Sequence, residues 1–115
     1  VITGCDTGFG HELAVAAAMK GFTVFAGCLN TASFADEIPD NLIPIVMDVT
    51  KDYQVQAAVM TVEKWLAQDK GRVMHALVNN AGVGVMCYLD FNTMSDHERV
   101  MSGKWASNNS FLPHT

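Results

Sequence analysis

At 115 residues, half of them hydrophobic and 17% charged, the chain is the size of one small domain with enough apolar material for a packed core, which excludes a disordered chain. A formal net charge of −5, with seven scattered Lys and Arg, excludes the basic face that nucleic acid requires. No stretch reaches the ~18 apolar residues of a membrane-spanning helix, and the chain does not open on a signal-peptide pattern. Cys5, Cys28 and Cys87 are odd in number, form no C-x-x-C and lie in or beside apolar segments. They read as buried thiols of a reducing, intracellular compartment. The four histidines fall in separate elements without ligand spacing, which argues against a metal site.

The chain opens inside what reads as a first strand, residues 1–3, and Val1 is not Met, so further sequence upstream is expected. A turn follows with glycines spaced four and two apart, Gly4, Gly8 and Gly10, and residues 9–20 read as a helix stopped by Gly21. Residues 23–29, rich in β-branched and aromatic side chains, predict a second strand. A polar connection with a short helix around 33–37 leads to a third strand over 42–47, in which Pro44 is tolerated at a sheet edge. Val55, Ala58, Val59, Val62, Trp65 and Leu66 recur at helical spacing and predict a helix over 52–68, with Trp65 in the core. Gly71 ends it, residues 72–78 read as a fourth strand, and Ser95 with Glu98 forms a capping box for a last helix through Met101. Strands that alternate with helices and read as continuous apolar runs predict an α/β fold, a parallel sheet covered on both faces.

Three strand ends then offer what a dinucleotide needs, because in open parallel sheets the ligand crevice lies outside the carboxyl ends of the strands. The glycine turn stands at a strand-to-helix junction, where backbone N–H groups and the helix dipole meet a pyrophosphate. There Gly4 allows the tight turn, Gly8 a close approach of backbone to ligand, and Gly10 the packing of helix on strand. Asp48, after the third strand, is placed to accept from an adenine amine. After the fourth strand, Asn79 and Asn80 tolerate unusual backbone angles and bridge strands through their amides, while Ala81 and Gly82 have no bulk to block a ribose. Each has a plainer reading: a glycine loop that rounds a corner, an Asp that caps the next helix, an ordinary Asn-Asn-Ala-Gly turn.

Together, Thr3-Gly4-x-x-x-Gly8-x-Gly10, Asp48-Val49 and Asn79-Asn80-Ala81-Gly82 resemble the cofactor motifs of the short-chain dehydrogenase/reductase family in order and spacing. Within it, residues 2–10, 21–27 and 47–51 look most like the retinol dehydrogenases and type 2 17-beta-hydroxysteroid dehydrogenases. The resemblance implies a partial Rossmann-type sheet of about four strands with flanking helices, an incomplete doubly wound fold. Residues 1–101 would be the N-terminal half of a dinucleotide-binding domain and 102–115 a divergent tail. It also implies NAD(P)-dependent hydride transfer to or from a lipophilic alcohol or ketone of retinoid or steroid type. Carried onto this chain, Gly4, Thr7, Gly8, Phe9 and Gly10 hold the pyrophosphate and adjacent ribose. Asp48 and Val49 meet the adenine, Asn80, Ala81 and Gly82 line the ribose side, and Asn79 ties the sheet together. For the complete protein the resemblance implies a homo-oligomer in an endoplasmic-reticulum membrane setting.

NAD is expected over NADP. The end of the second strand, Cys28-Leu29-Asn30, has neither the acid that binds a ribose 2′-hydroxyl nor an Arg for a 2′-phosphate, yet residues 21–50 contain no Lys or Arg. Asp6 in the glycine turn leans the same way. Family catalysis uses a Tyr with Lys four residues on, and here Tyr53 precedes Ala57 and Tyr88 precedes Asn92, so no catalytic residue is assigned. The stretch after Met101 matches the family poorly, and the catalytic Asn is not transferred to Asn108 or Asn109. We therefore expect a truncated product or partial gene model, with a bare apolar edge on the fourth strand and no turnover by these residues alone. The alternatives are a non-catalytic dinucleotide-binding module and an unstable fragment.

Overall fold

The computed structural model of the chain describes residues 1–35, 38–83, 93–95, 98 and 101. Its centre is strand β1, Val24–Cys28, whose five residues are all buried. Strand β2, Leu42–Val46, pairs with it in parallel, with Ala26 opposite Pro44. Among the described residues β2 pairs only with β1, so Pro44 lies on an edge strand, as a residue without a backbone N–H requires. On the other side of β1, Ile2 bridges Ala26 and Val78, both in parallel. The order across the sheet is therefore β2, β1, Ile2, Val78.

The first and fourth strands expected from sequence are single bridges. Ile2 N–H donates to Phe25 O at 3.0 Å and Gly27 N–H to Ile2 O at 2.8 Å, while Thr3 N–H donates to Val78 O at 3.0 Å. A ladder needs consecutive pairs, and within the 72–78 segment Val78 is the bridged residue, its N–H donating to Val1 O at 2.9 Å and its carbonyl accepting from Thr3 N–H.

Helix α1, Gly8–Met19, lays Gly10, Ala14 and Ala18 on the sheet. Four-residue spacing puts these on one face, and their small size lets the helix axis approach closely. Gly21, at φ +92°, ends it: Gly21 N–H donates to Ala18 O and Phe22 N–H to Ala17 O, the paired bonds that close a helix on a left-handed residue. Asn41 pins this end to the start of β2, its Nδ2 donating to Ala18 O at 2.8 Å and Phe22 O at 2.7 Å. Of the short helix expected near 33–37, residues 36 and 37 lie outside the described residues; a 3₁₀ turn spans Thr31–Phe34, started by Asn30, whose Oδ1 accepts from Ala32 N–H.

Helix α2, Asp52–Ala67, buries Val55, Ala58 and Val62, and Trp65 meets Phe25 edge-on with ring centroids 5.7 Å apart. Arg72 stacks over the Trp65 ring at 4.1 Å and donates to Trp65 O. Because side chains alternate along β1, Val24, Ala26 and Cys28 pack with Ala14 and Ala18 of α1, while Phe25 faces α2. A second core of Met47, Val49, Val55 and Ala58 lies under α2. The sheet is thus covered on both faces.

Cys5 and Cys28 are fully buried, and burial pushes their thiols up to about 12 and about 11, with the Asp6 charge adding to both. Cys87 lies outside the described residues. So does most of the last helix, but Met94 and Ser95 are already helical, which moves its start ahead of the expected Ser95 cap. Among the described residues no helix is long and apolar enough to cross a membrane.

Candidate functional site

Parallel pairing brings the carboxyl ends of the strands to one edge of the sheet, and three turns converge there. In the first, Gly4 has φ +69°, and a Cβ on it would stand 2.6 Å from Ala81 Cα, so both the turn and the close approach require glycine. Gly10, buried in the first turn of α1, lies directly against the Gly4 carbonyl and the Asn80 amide. Gly8 opens α1 at φ +62° with nothing within 4 Å of where a Cβ would be.

Thr3 locks this turn to the one after Val78. Its side chain is wholly buried, and its Oγ1 accepts from Asn80 N–H at 3.1 Å and Ala81 N–H at 2.9 Å while donating to Val78 O. Asn80 Nδ2 returns the connection, donating to Thr3 O at 3.1 Å and Gly4 O at 2.9 Å. The amide bridging expected of Asn79 and Asn80 is thus seen at Asn80. The sequence reading assigned Thr3 no role. The available signal was a lone hydroxyl at an apolar strand end, since a buried polar group must find partners.

Asp48 builds the turn into α2. Its Oδ1 accepts from Thr50 Oγ1 at 2.7 Å and Thr50 N–H at 3.0 Å, and its own N–H donates to Gln54 Oε1. The Thr50 hydroxyl and amide, with help from Lys51, hold the Asp48 carboxyl below its ordinary value. The capping reading of Asp48 therefore describes Oδ1, whereas Oδ2 has no hydrogen-bond partner among the described residues. Val49 points into the core under α2, leaving mainly its backbone for the cleft. Asp6, from the glycine turn, accepts from Leu29 and Asn30 N–H, both at 3.0 Å.

These turns enclose an open cleft of about 930 Å³, lined by eight of the ten residues expected from sequence: Gly4, Thr7, Phe9, Asp48, Val49, Asn80, Ala81 and Gly82. Gly8 and Gly10 are not in the lining: Gly8 starts α1 in an exposed position, and Gly10 is buried in the first turn of that helix. A second cavity of about 340 Å³, apolar and bordered by Phe22, Phe25 and Trp65, contains none of the ten.

The residues present fit a dinucleotide. Thr7, the N-cap of α1, makes no side-chain cap bond, and the first turn carries no acid, so these N–H groups and the positive end of the helix are left for an anion beside the open space at Gly8. Among the described residues no Lys or Arg lines the cleft, and no group of His, Cys, Asp or Glu could hold a metal. Tyr53 is exposed on α2 and accepts from Gln54 Nε2; Tyr88 lies outside the described residues.

A family model described as short chain dehydrogenase matches residues 1–107. The chain is 36% identical over 124 aligned positions to the mitochondrial D-beta-hydroxybutyrate dehydrogenase of Rattus norvegicus, covering 98% of this chain and 36% of that protein. It is 40% identical over 107 positions to retinol dehydrogenase 5 of Mus musculus, covering 88% and 32%. It thus spans about a third of the length of these relatives. Among solved structures it resembles the 3-ketoacyl-(acyl-carrier-protein) reductase of Brucella melitensis complexed with NADH, at TM-score 0.78 and 30% identity over 98% of this chain and 48% of the other. The NADPH-bound carbonyl reductase from chicken fatty liver follows at TM-score 0.73 and 25% identity, covering 97% and 50%.

Proposed function

The chain belongs to the short-chain dehydrogenase family, and on that premise we propose that residues 1–101 form the cofactor-binding portion of an oxidoreductase acting on a lipophilic alcohol or ketone. The observation that carries this reading is the convergence of residues from three distant turns, Gly4 to Phe9, Asp48 and Asn80 to Gly82, on one cleft. In it the backbone of Gly4, Thr7, Gly8, Phe9 and Gly10 holds the pyrophosphate and adjacent ribose, the N-terminus of α1 supplying the positive end. The Asp48 carboxylate and Val49 backbone bind and orient the adenine. Asn80, Ala81 and Gly82 line the ribose side, kept in place by Thr3. The bound nicotinamide supplies the hydride chemistry.

The cofactor of this reading is NAD, since no cation among the described residues lines the cleft to meet a 2′-phosphate. The substrate is a retinoid- or steroid-like alcohol, after the retinol dehydrogenase relative; the hydroxybutyrate dehydrogenase relative, matched over more of this chain, favours a small hydroxy acid as the second reading. Neither Tyr has Lys four residues on, so these 115 residues bind cofactor without turning it over. Calorimetric titration with NAD tests the reading: saturable 1:1 binding is expected, lost in Gly8→Val, with the circular dichroism spectrum of the variant checking that it folds. A wild type that folds and binds no NAD overturns it, and oxidation of retinol or estradiol by this chain overturns the absence of turnover.

A further inference from the structure

Dinucleotide folds that take the unphosphorylated cofactor ordinarily carry an acid at the end of the second strand, about 20 residues past the glycine turn, to accept from the ribose 2′-hydroxyl. Here that strand is β1, and the stretch closing it, Cys28-Leu29-Asn30, contains no carboxylate. A carboxylate is nevertheless present at that place, delivered by a different element. Asp6 reaches across from the glycine turn: Oδ2 accepts from Leu29 N–H at 3.0 Å, Oδ1 from Asn30 N–H at 3.0 Å, and Ser33 Oγ stands 3.5 Å from Oδ1. Asp6 and Leu29 border the cleft together.

Two backbone amides fix this carboxylate without neutralising it. Each oxygen of an ionised carboxylate accepts about two hydrogen bonds, so Oδ2, with one donor, keeps room for a hydroxyl. Residues 21–50 hold no Lys or Arg, and none lines the cleft among the described residues. A 2′-hydroxyl would find an acceptor there, and a 2′-phosphate an uncompensated negative charge.

We propose that Asp6 is the specificity-determining residue of the cleft, standing in space for the acid that β1 lacks, accepting from the adenosine ribose 2′-hydroxyl and repelling a 2′-phosphate. This rests on the dinucleotide reading above and adds to it the residue that chooses the cofactor.

The test is calorimetric titration of the full chain with NAD and with NADP, wild type against Asp6→Asn, which keeps one acceptor oxygen and removes the charge. Wild type is expected to prefer NAD by about tenfold or more, and Asp6→Asn to lose most of that ratio. If Asp6 is only a brace, both affinities fall together at a constant ratio, and the proposal is overturned. A second measurement needs no variant: between about 0.05 and 1 M salt the wild-type ratio should narrow several-fold as the fixed charge is screened, and a flat ratio overturns the proposal. Wild type binding both cofactors equally overturns this inference alone, whereas wild type binding neither overturns the dinucleotide reading with it.

Discussion

The turn from Thr3 to Gly10 and the turn from Asp48 to Lys51 stand at the same edge of the sheet and border one cleft, yet they are held in opposite ways. The first is fastened to residues about 75 positions away: Thr3 and Gly4 exchange hydrogen bonds with Val78, Asn80 and Ala81, around a hydroxyl with no solvent exposure. The second is fastened to its own neighbours, Asp48 bonding Thr50, Lys51 and Gln54. A turn made by distant partners forms only when the sheet forms, and a turn made by local ones is present whenever the strand before it ends. Damage to the first should therefore unfold the domain, and damage to the second should loosen the cleft.

The strongest way to break the comparison is Gly10→Val. Its side chain would collide with the Gly4 carbonyl and the Asn80 amide, so a loss on the order of 3 kcal/mol or more is expected, read as a collapsed or absent thermal transition. Thr3→Val keeps the shape and strands the Asn80 and Ala81 amides in a buried place, for a loss of about 1–3 kcal/mol by denaturant titration. Asp48→Ala removes two short-range bonds from a half-exposed turn and should cost about 1 kcal/mol or less, with a larger proportional effect on NAD affinity than on melting. If Asp48→Ala proved the more destabilising, the division between the two turns would fail.

The contrast is also sharpened through pH. The Cys5 thiol, in the first turn, is raised from 9.0 to about 12, so the folded state holds its proton more tightly than the unfolded chain. That contribution is whole below pH 9 and is lost as pH rises from 9 toward 12. Asp48, in the second turn, is lowered from 3.8, so its contribution is present above that value and lost as pH falls through the folded-state value beneath it. Thermal melts from pH 3 to 10.5 should fall at both ends, and Asp48→Asn should flatten only the acid end. The Cys5 and Cys28 thiols should resist iodoacetamide in the folded chain and react after unfolding.

The same division explains what could be read from the sequence. The helices, β1 and β2 were legible because their signals are local: Gly21 after a helical run, Val55, Ala58 and Val62 at helical spacing, Pro44 in a strand at the edge of the sheet. The glycines of the first turn were legible because steric demand leaves its mark on the residue that meets it. Thr3 was not, because its partners are Asn80 and Ala81, nor was the reach of Asp6 to the end of β1, 23 residues on. Asp48 was legible in position and ambiguous in role, since a carboxylate that caps a turn and one that meets a base occupy the same place in a sequence.

Pro44 has a consequence for how this sheet can grow. Met47 N–H points to Cys28 O, and alternation along the strand turns the N–H of residues 43 and 45 toward β1 as well, so the donor that proline lacks would have faced outward. A strand arriving on that side meets a missing donor in the middle of β2, whereas the segment ending at Val78, on the opposite flank, contains no proline and, among the described residues, bridges only Ile2. Extension of this sheet is therefore directional, obstructed beside β2 and permitted beside Val78, so additional strands, whether from this polypeptide or from a neighbouring copy, should be recruited on the Val78 side.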